Sequence, residues 1–178
     1  EAVPGMVKLQ QYGETNEHRP LYLAFISAEK NITELENIRK NNLRLANLSS
    51  DRMAPSENAP AIVWLSYNVH GNETSSSEAA MLTLYSLVNP QNTETKNWLQ
   101  NTVVIIDPCL NPDGRDRYVN WFNTTVGKNY NPLLQAREHD EPWPGGRTNH
   151  YNFDLNRDWA WQTQVESSQR ITQYLQWM

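Results

Sequence analysis

A chain of 178 residues with 38% apolar content suits one domain with a real core, on the usual scale of ~150 residues per domain. Its net charge of −5 argues against nucleic acid or an anionic membrane as partner, because both demand clustered cations. No apolar run approaches the ~20 residues of a membrane helix, Glu1-Ala2-Val3-Pro4 has neither a basic start nor an apolar signal core, and a lone Cys109 excludes an internal disulfide or a thiolate zinc site.

Tyr12 to Pro20 is polar and turn-rich and leads into a strand, Leu21 to Ser27. Ile32, Leu35, Ile38, Leu45 and Leu48 recur at near-helical spacing and predict an amphipathic helix from Thr33 to Asn47, followed by a connecting loop to Pro60. Ile62-Val63-Trp64-Leu65, bounded by Pro60 and Gly71, reads as a strand buried on both faces. Ser75-Ser76-Ser77-Glu78 then offers a capping box ahead of Met81, Leu84, Tyr85 and Val88, whose spacing suits a buried helical stripe. Thr95 to Gln100 forms a short helical turn, and Val103-Val104-Ile105-Ile106-Asp107 is the clearest strand in the chain. Asn111-Pro112-Asp113-Gly114 is turn chemistry. From Thr124 to His150 there is little periodicity, with Trp143-Pro144-Gly145-Gly146-Arg147 as the breaker, and loops of that length are functional or disordered. Ile171, Tyr174, Leu175 and Met178 share one face of a closing helix from Val165. The alternation of strands and helices predicts an α/β fold with helices on both faces of the sheet.

His70 and Glu73 fall in the turn between the end of a strand and the start of a helix, where α/β folds place their ligand sites. A neutral imidazole and a carboxylate are both good Zn²⁺ ligands, and such a turn lets side chains three apart converge on one ion. His-x-x-Glu alone is a common coincidence, so the weight rests on what the remaining chain supplies.

In this order the motifs resemble the zinc carboxypeptidases of the carboxypeptidase A and B type. His70-Gly71-Asn72-Glu73 resembles the first two zinc ligands of that family, Asn111-Pro112-Asp113-Gly114 its Asn-Pro-Asp-Gly turn, and Asp154-Leu155-Asn156-Arg157 its substrate-clamp segment. Tyr12 to Leu21 is similar to the family's opening turn and strand, so the likeness covers almost the whole chain. The resemblance implies a three-layer α/β/α fold with a mixed, mostly parallel twisted sheet, and a chain, 1–178, that is the amino-terminal part of one catalytic domain, truncated at its carboxyl end. The family's third zinc ligand, a histidine, and its general-base glutamate would then lie beyond Met178, leaving residues 1–178 alone inactive. His139 and His150, in the irregular loop, are rejected as substitutes, because such a loop holds a ligand less accurately than a strand does.

The resemblance implies a Zn²⁺ cofactor, a peptide substrate with a free carboxy terminus, Asn156 and Arg157 as the pair gripping that carboxylate, and Asp154 behind His70. It implies an oxyanion arginine, assigned to Arg147 with Arg115 and Arg117 as rivals, and an extracellular or periplasmic setting. Phe153 and Asp158 depart from the family pattern and put substrate preference in doubt. Two other readings stay open: a zinc deacylase of the aspartoacylase and succinylglutamate desuccinylase kind, which shares these segments, and a non-catalytic fragment or binding module. A truncated sheet would also expose apolar surface and invite self-association. The sequons at Asn31, Asn47, Asn72 and Asn123 are uninformative, since chance sequons are common and a glycan at Asn72 would crowd the metal.

Overall fold

In the computed structural model, which describes residues 3, 5–50 and 53–178, the alternation of side chains along two central strands divides the core into two halves. Strand β1 (Val7–Glu14) and strand β2 (Pro20–Ile26) form an antiparallel hairpin. Strand β4 (Thr102–Asp107) lies against β2, and strand β3 (Ala61–Ser66) closes the order β1-β2-β4-β3. Leu23, Phe25, Val103 and Ile105 face one side, and Ala24, Ile26, Val104 and Ile106 face the other, as a period of two requires.

The first side is covered by helix α2 (Leu35–Leu45), which follows the one-turn helix α1 (Glu29–Thr33), and by helix α6 (Val165–Trp177). Leu35, Ile38 and Trp177 are buried there, and the Trp177 ring lies 4.8 Å from that of Phe25. The second side is covered by helix α3 (Ser76–Val88) through Ala80 and Val88, and by Leu99 just past helix α4 (Thr93–Trp98). The result is the expected α/β architecture with a helical layer on each face of a mixed sheet.

The sheet balance differs from the expected mostly parallel one. Among the described residues only β3 and β4 pair in parallel, while β1 with β2 and β2 with β4 are antiparallel. A five-residue turn joins β1 to β2, far too short for the crossover that parallel strands need. Strand β3 is also not buried on both faces. It is an edge strand, with Val63 40% exposed, because β4 takes the central place.

Other expectations shift for similar reasons. On α3, Ala80, Leu84, Leu87 and Val88 face the sheet, leaving Met81 and Tyr85 on the outside with Leu82. Ser75 makes no side-chain cap, and the neighbouring serines brace the preceding turn instead. Leu45 and Leu48 are exposed beyond the buried part of α2, and Trp177 replaces Leu175 in the α6 contact. Asn111-Pro112-Asp113-Gly114 is the start of a helix, α5 (Pro112–Thr125), which the sequence reading missed. The signals were present: an Asn cap whose Oδ1 accepts from the Gly114 N–H at 3.0 Å, then Pro in the first turn. Glu1, Ala2 and Pro4 of the amino end, and Asp51 and Arg52 of the connection before β3, lie outside the described residues.

The approach to α6 is held by Asp158, which is 5% exposed. Its carboxylate accepts from the Thr163 hydroxyl (2.6 Å), the Thr163 and Gln164 backbone N–H groups (3.1 and 2.8 Å) and the Ser167 hydroxyl. Burial pushes this carboxyl up, but the donors from Ser167 and Thr163 more than offset it, and it titrates below its ordinary range. The folded state therefore binds this proton more weakly than the unfolded chain, and the stabilisation is complete above ~pH 4 and fades as the pH falls further. Asp158→Asn is expected to cost about 1–3 kcal/mol at neutral pH and to flatten the acid limb of the stability profile. Chemical denaturation of both proteins between pH 7 and 3 checks this, and parallel profiles would contradict it.

Candidate metal centre

Beyond β3 the chain turns sharply at Asn68, whose φ of +58° lies in the left-handed region that asparagine tolerates better than most residues. Its buried side chain braces the turn that carries His70. Nδ2 donates to the His70 carbonyl (2.7 Å), Oδ1 accepts from the Ser77 hydroxyl (2.9 Å), and the backbone N–H donates to the Ser76 hydroxyl (2.8 Å). Cys109 also donates to this Oδ1, and burial pushes its thiol up to about 11, which makes it a poor nucleophile at neutral pH.

His70, 7% exposed, lies between two carboxylates. Its Nδ1 is 3.0 Å from Glu73 Oε1, and its Nε2 is 3.0 Å from Asp154 Oδ1. Asp154 sits 84 positions away in sequence, on the approach to a 3₁₀ turn (Leu155–Arg157), and its Oδ1 also accepts from the Asn156 N–H at 3.0 Å. Its other oxygen accepts from Arg147 Nε (3.2 Å) and Nη2 (2.9 Å), while Arg147 Nη1 lies 3.5 Å from His70 Nδ1. Burial pushes the Asp154 carboxyl up, yet the hydrogen bonds from His70 and Arg147 outweigh it and hold the group below its ordinary range.

This arrangement constrains the imidazole. A neutral ring has one N–H. If that proton is on Nε2, facing the ionised Asp154, then Nδ1 directs a lone pair at Glu73 Oε1, and the two electron-rich atoms 3.0 Å apart need a proton or a cation between them. The donor set of an imidazole nitrogen and a carboxylate oxygen, with a second carboxylate fixing the tautomer, fits Zn²⁺. Among the described residues no group of three or more His, Cys, Asp or Glu side chains is placed to hold a metal ion.

The remaining expected site residues divide. Asn156 and Arg157 are exposed on the 3₁₀ turn next to Asp154, and Arg157 donates to the Asn156 carbonyl at 3.3 Å. Arg115 is drawn away to Glu78 and the Thr74 carbonyl, and Arg117 donates to the Gly145 and Asn149 carbonyls, so of the three arginines only Arg147 is hydrogen-bonded within the His70 cluster. His139 faces the Asn131 carbonyl and His150 faces Glu17; neither joins the cluster.

Sequence reasoning missed the residues that hold these loops. Asn149 is fully buried: Oδ1 accepts from the Tyr151 and Phe153 N–H groups (3.1 and 3.0 Å), and Nδ2 donates to Gln164 Oε1 at 2.9 Å. Glu141 accepts from Asn72 Nδ2 at 2.8 Å and from the Gly146 N–H, tying the long loop to the His70 turn. No periodicity marks such residues, because their partners lie in irregular backbone.

A model of the zinc carboxypeptidase family matches residues 1–175. The chain belongs to this family. No significant match occurs among the curated proteins. Similar solved folds include a metallo-carboxypeptidase from Burkholderia cenocepacia, at 15% identity and a TM-score of 0.58, aligned over 94% of this chain and 32% of that one. Carboxypeptidase A from Helicoverpa armigera aligns at 16% identity and a TM-score of 0.51, over 95% of this chain and 37% of its own. The family member thus spans about a third of the length of the structures it matches.

Around the site the backbones meet too closely for side chains. A Cβ on Gly71 would lie 2.1 Å from the Arg115 nitrogen, 2.2 Å from the Gly114 carbonyl carbon and 2.5 Å from the Gly146 oxygen. Gly71→Ala is therefore expected to cost at least the ~1–3 kcal/mol of an overpacked core, whereas Gly127→Ala, whose Cβ would first meet the Asn129 oxygen at 3.5 Å, should be nearly neutral. Thermal unfolding of the two variants side by side checks this, and equal melting temperatures would show that the junction yields.

Proposed function

We propose that this chain is the amino-terminal part of a zinc metallocarboxypeptidase catalytic domain that cleaves the terminal peptide bond of peptides with a free carboxylate. The observation that carries the reading is His70 with both ring nitrogens engaged by carboxylates, Nδ1 and Glu73 Oε1 facing one another at 3.0 Å. Family membership favours a peptidase over the deacylase reading.

In this reading His70 and Glu73 would hold Zn²⁺, which when bound would supply a Lewis acid and lower the pKa of a coordinated water to ~7. Asp154 keeps the imidazole proton on Nε2, so that Nδ1 stays a lone-pair donor. Arg147 sits beside the pair with a half-exposed guanidinium, placed to stabilise negative charge developing on the scissile carbonyl oxygen. Asn156 and Arg157 supply planar donors for the substrate's terminal carboxylate, a bidentate match that a lysine lacks. By the family pattern the third zinc-binding histidine and the general base come from sequence after Met178. The open edge of β3 and the outward face of α3, with Met81, Leu82 and Tyr85 exposed, are where further chain or a second copy would be recruited.

His70→Ala in the full-length protein is expected to abolish stoichiometric zinc and activity, while residues 1–178 alone bind Zn²⁺ weakly and turn over nothing. Metal analysis and calorimetric titration decide both, and tight binding with turnover by the isolated chain would mean that another residue within it completes the site.

Arg157→Lys is expected to raise KM nearly as much as Arg157→Ala, because a point charge does not replace a bidentate fork. Steady-state kinetics of wild type and both variants on free and amidated peptide termini test this. Equal activity of all three on both substrates would remove Arg157 from carboxylate recognition.

A further inference from the structure

The Asn156 amide is set by a neighbour that has no choice of polarity. The Trp159 indole Nε1 lies 3.0 Å from Asn156 Oδ1. An indole nitrogen only donates, so the amide atom facing it must be the oxygen, and the NH₂ group is turned the other way. Among the described residues that Nδ2 has no hydrogen-bond partner, and it stands on an exposed turn beside Arg157.

Trp159 is itself anchored. Its ring lies over the Arg170 guanidinium at 5.0 Å, and the same guanidinium is flanked by the rings of Trp64 (5.4 Å) and Tyr174 (4.9 Å). Arg170 Nη2 donates to Ser66 Oγ at 3.0 Å, the atom that also accepts from Trp64 Nε1 at 2.9 Å. A stack of rings around one cation thus ties the indole to β3, through Trp64 and Ser66, and to α6, through Arg170 and Tyr174.

We infer that Trp159 is a positioning residue for carboxylate recognition, fixing the Asn156 amide so that its NH₂, and not its oxygen, is presented to the substrate. The inference rests on the reading of Asn156 as a carboxylate-binding residue. Without the indole N–H the amide is free to rotate, and in half of its orientations it offers a lone pair to an anion. The effect falls on substrate affinity, since among the described residues neither side chain is hydrogen-bonded to His70 or Glu73.

The test uses the full-length enzyme and benzoyl-Gly-Phe, with its carboxamide as control. Trp159→Phe keeps a ring over Arg170 and removes the donor; it is expected to raise KM for the free acid about five-fold, the factor carried by one neutral hydrogen bond, with kcat and zinc content unchanged. Asn156→Asp, which keeps the acceptor for Trp159 and removes the NH₂, should be at least as damaging as Asn156→Ala. If Trp159→Phe unfolds, replacement of Trp159 by 3-benzothienylalanine, of the same shape with sulfur in place of N–H, decides the matter. An unchanged KM in the donor-free protein while Asn156→Ala raises it would overturn the positioning role and leave the carboxylate reading standing. A fall in kcat or zinc content alongside the rise in KM would overturn it in favour of a purely structural role. No effect of Asn156→Ala on the free acid would sink the carboxylate reading itself and this inference with it.

Discussion

Three stretches of backbone meet at Gly71, Gly114 and Gly146, and the site depends on that contact. A Cβ on Gly114 would lie 2.4 Å from the Gly146 oxygen, and one on Gly146 would lie 2.5 Å from the Tyr118 Cβ. Each glycine belongs to a different part of the chain: the turn after β3, the first turn of α5, and the long irregular loop. Their close approach brings His70, which precedes Gly71, within reach of Arg147, which follows Gly146. The contact is then fastened from both sides. Asn111 Nδ2 donates to the Arg147 carbonyl at 3.2 Å, and Glu141 bonds both Asn72 and Gly146.

Electrostatics complete what the backbone begins. An imidazole flanked by two carboxylates, one of them also paired to a guanidinium, is held in its ring orientation through both nitrogens. Elsewhere a buried carboxylate has fewer donors and behaves differently. Among the described residues Asp107, at the end of β4, receives only the Tyr12 hydroxyl at 3.4 Å on one oxygen and has a second oxygen without a partner, and burial pushes it up to about 7. Asp154 and Asp107 have the same side chain and opposite shifts: Asp107 is fully buried with one weak donor, whereas Asp154 is only partly buried and several donors reach it.

Legibility in the sequence followed the kind of signal involved. Strand β4 was plain because five of its six residues are buried and β-branched or acidic at the end, and no competing helix pattern exists. Strand β3 reads the same in sequence yet lies at the sheet edge, because apolar content reports burial averaged over both faces and says nothing of strand order. The buried face of α3 was misassigned for a related reason: Met81 and Tyr85 share the helical period with Ala80 and Val88, offset by a fraction of a turn, and only the position of the sheet selects between them. Helix α5 was hidden because Asn-Pro-Asp-Gly is equally good chemistry for a turn and for a helix start.

By itself the sequence determined the order of elements, the two-faced α/β core, and the spacing that puts a histidine and a carboxylate at the end of a strand, because periodicity and short-range motifs are properties of local backbone. It also carried, through motif order, a family membership that the match over residues 1–175 bears out. Only the tertiary structure decided which arginine lies beside His70, that Asp154 faces Nε2 and Glu73 faces Nδ1, and that an indole sets the Asn156 amide. The physical reason is range: hydrogen-bond geometry between residues such as His70 and Asp154, 84 positions apart, depends on the path of every loop between them, and irregular loops leave no period in the sequence to read.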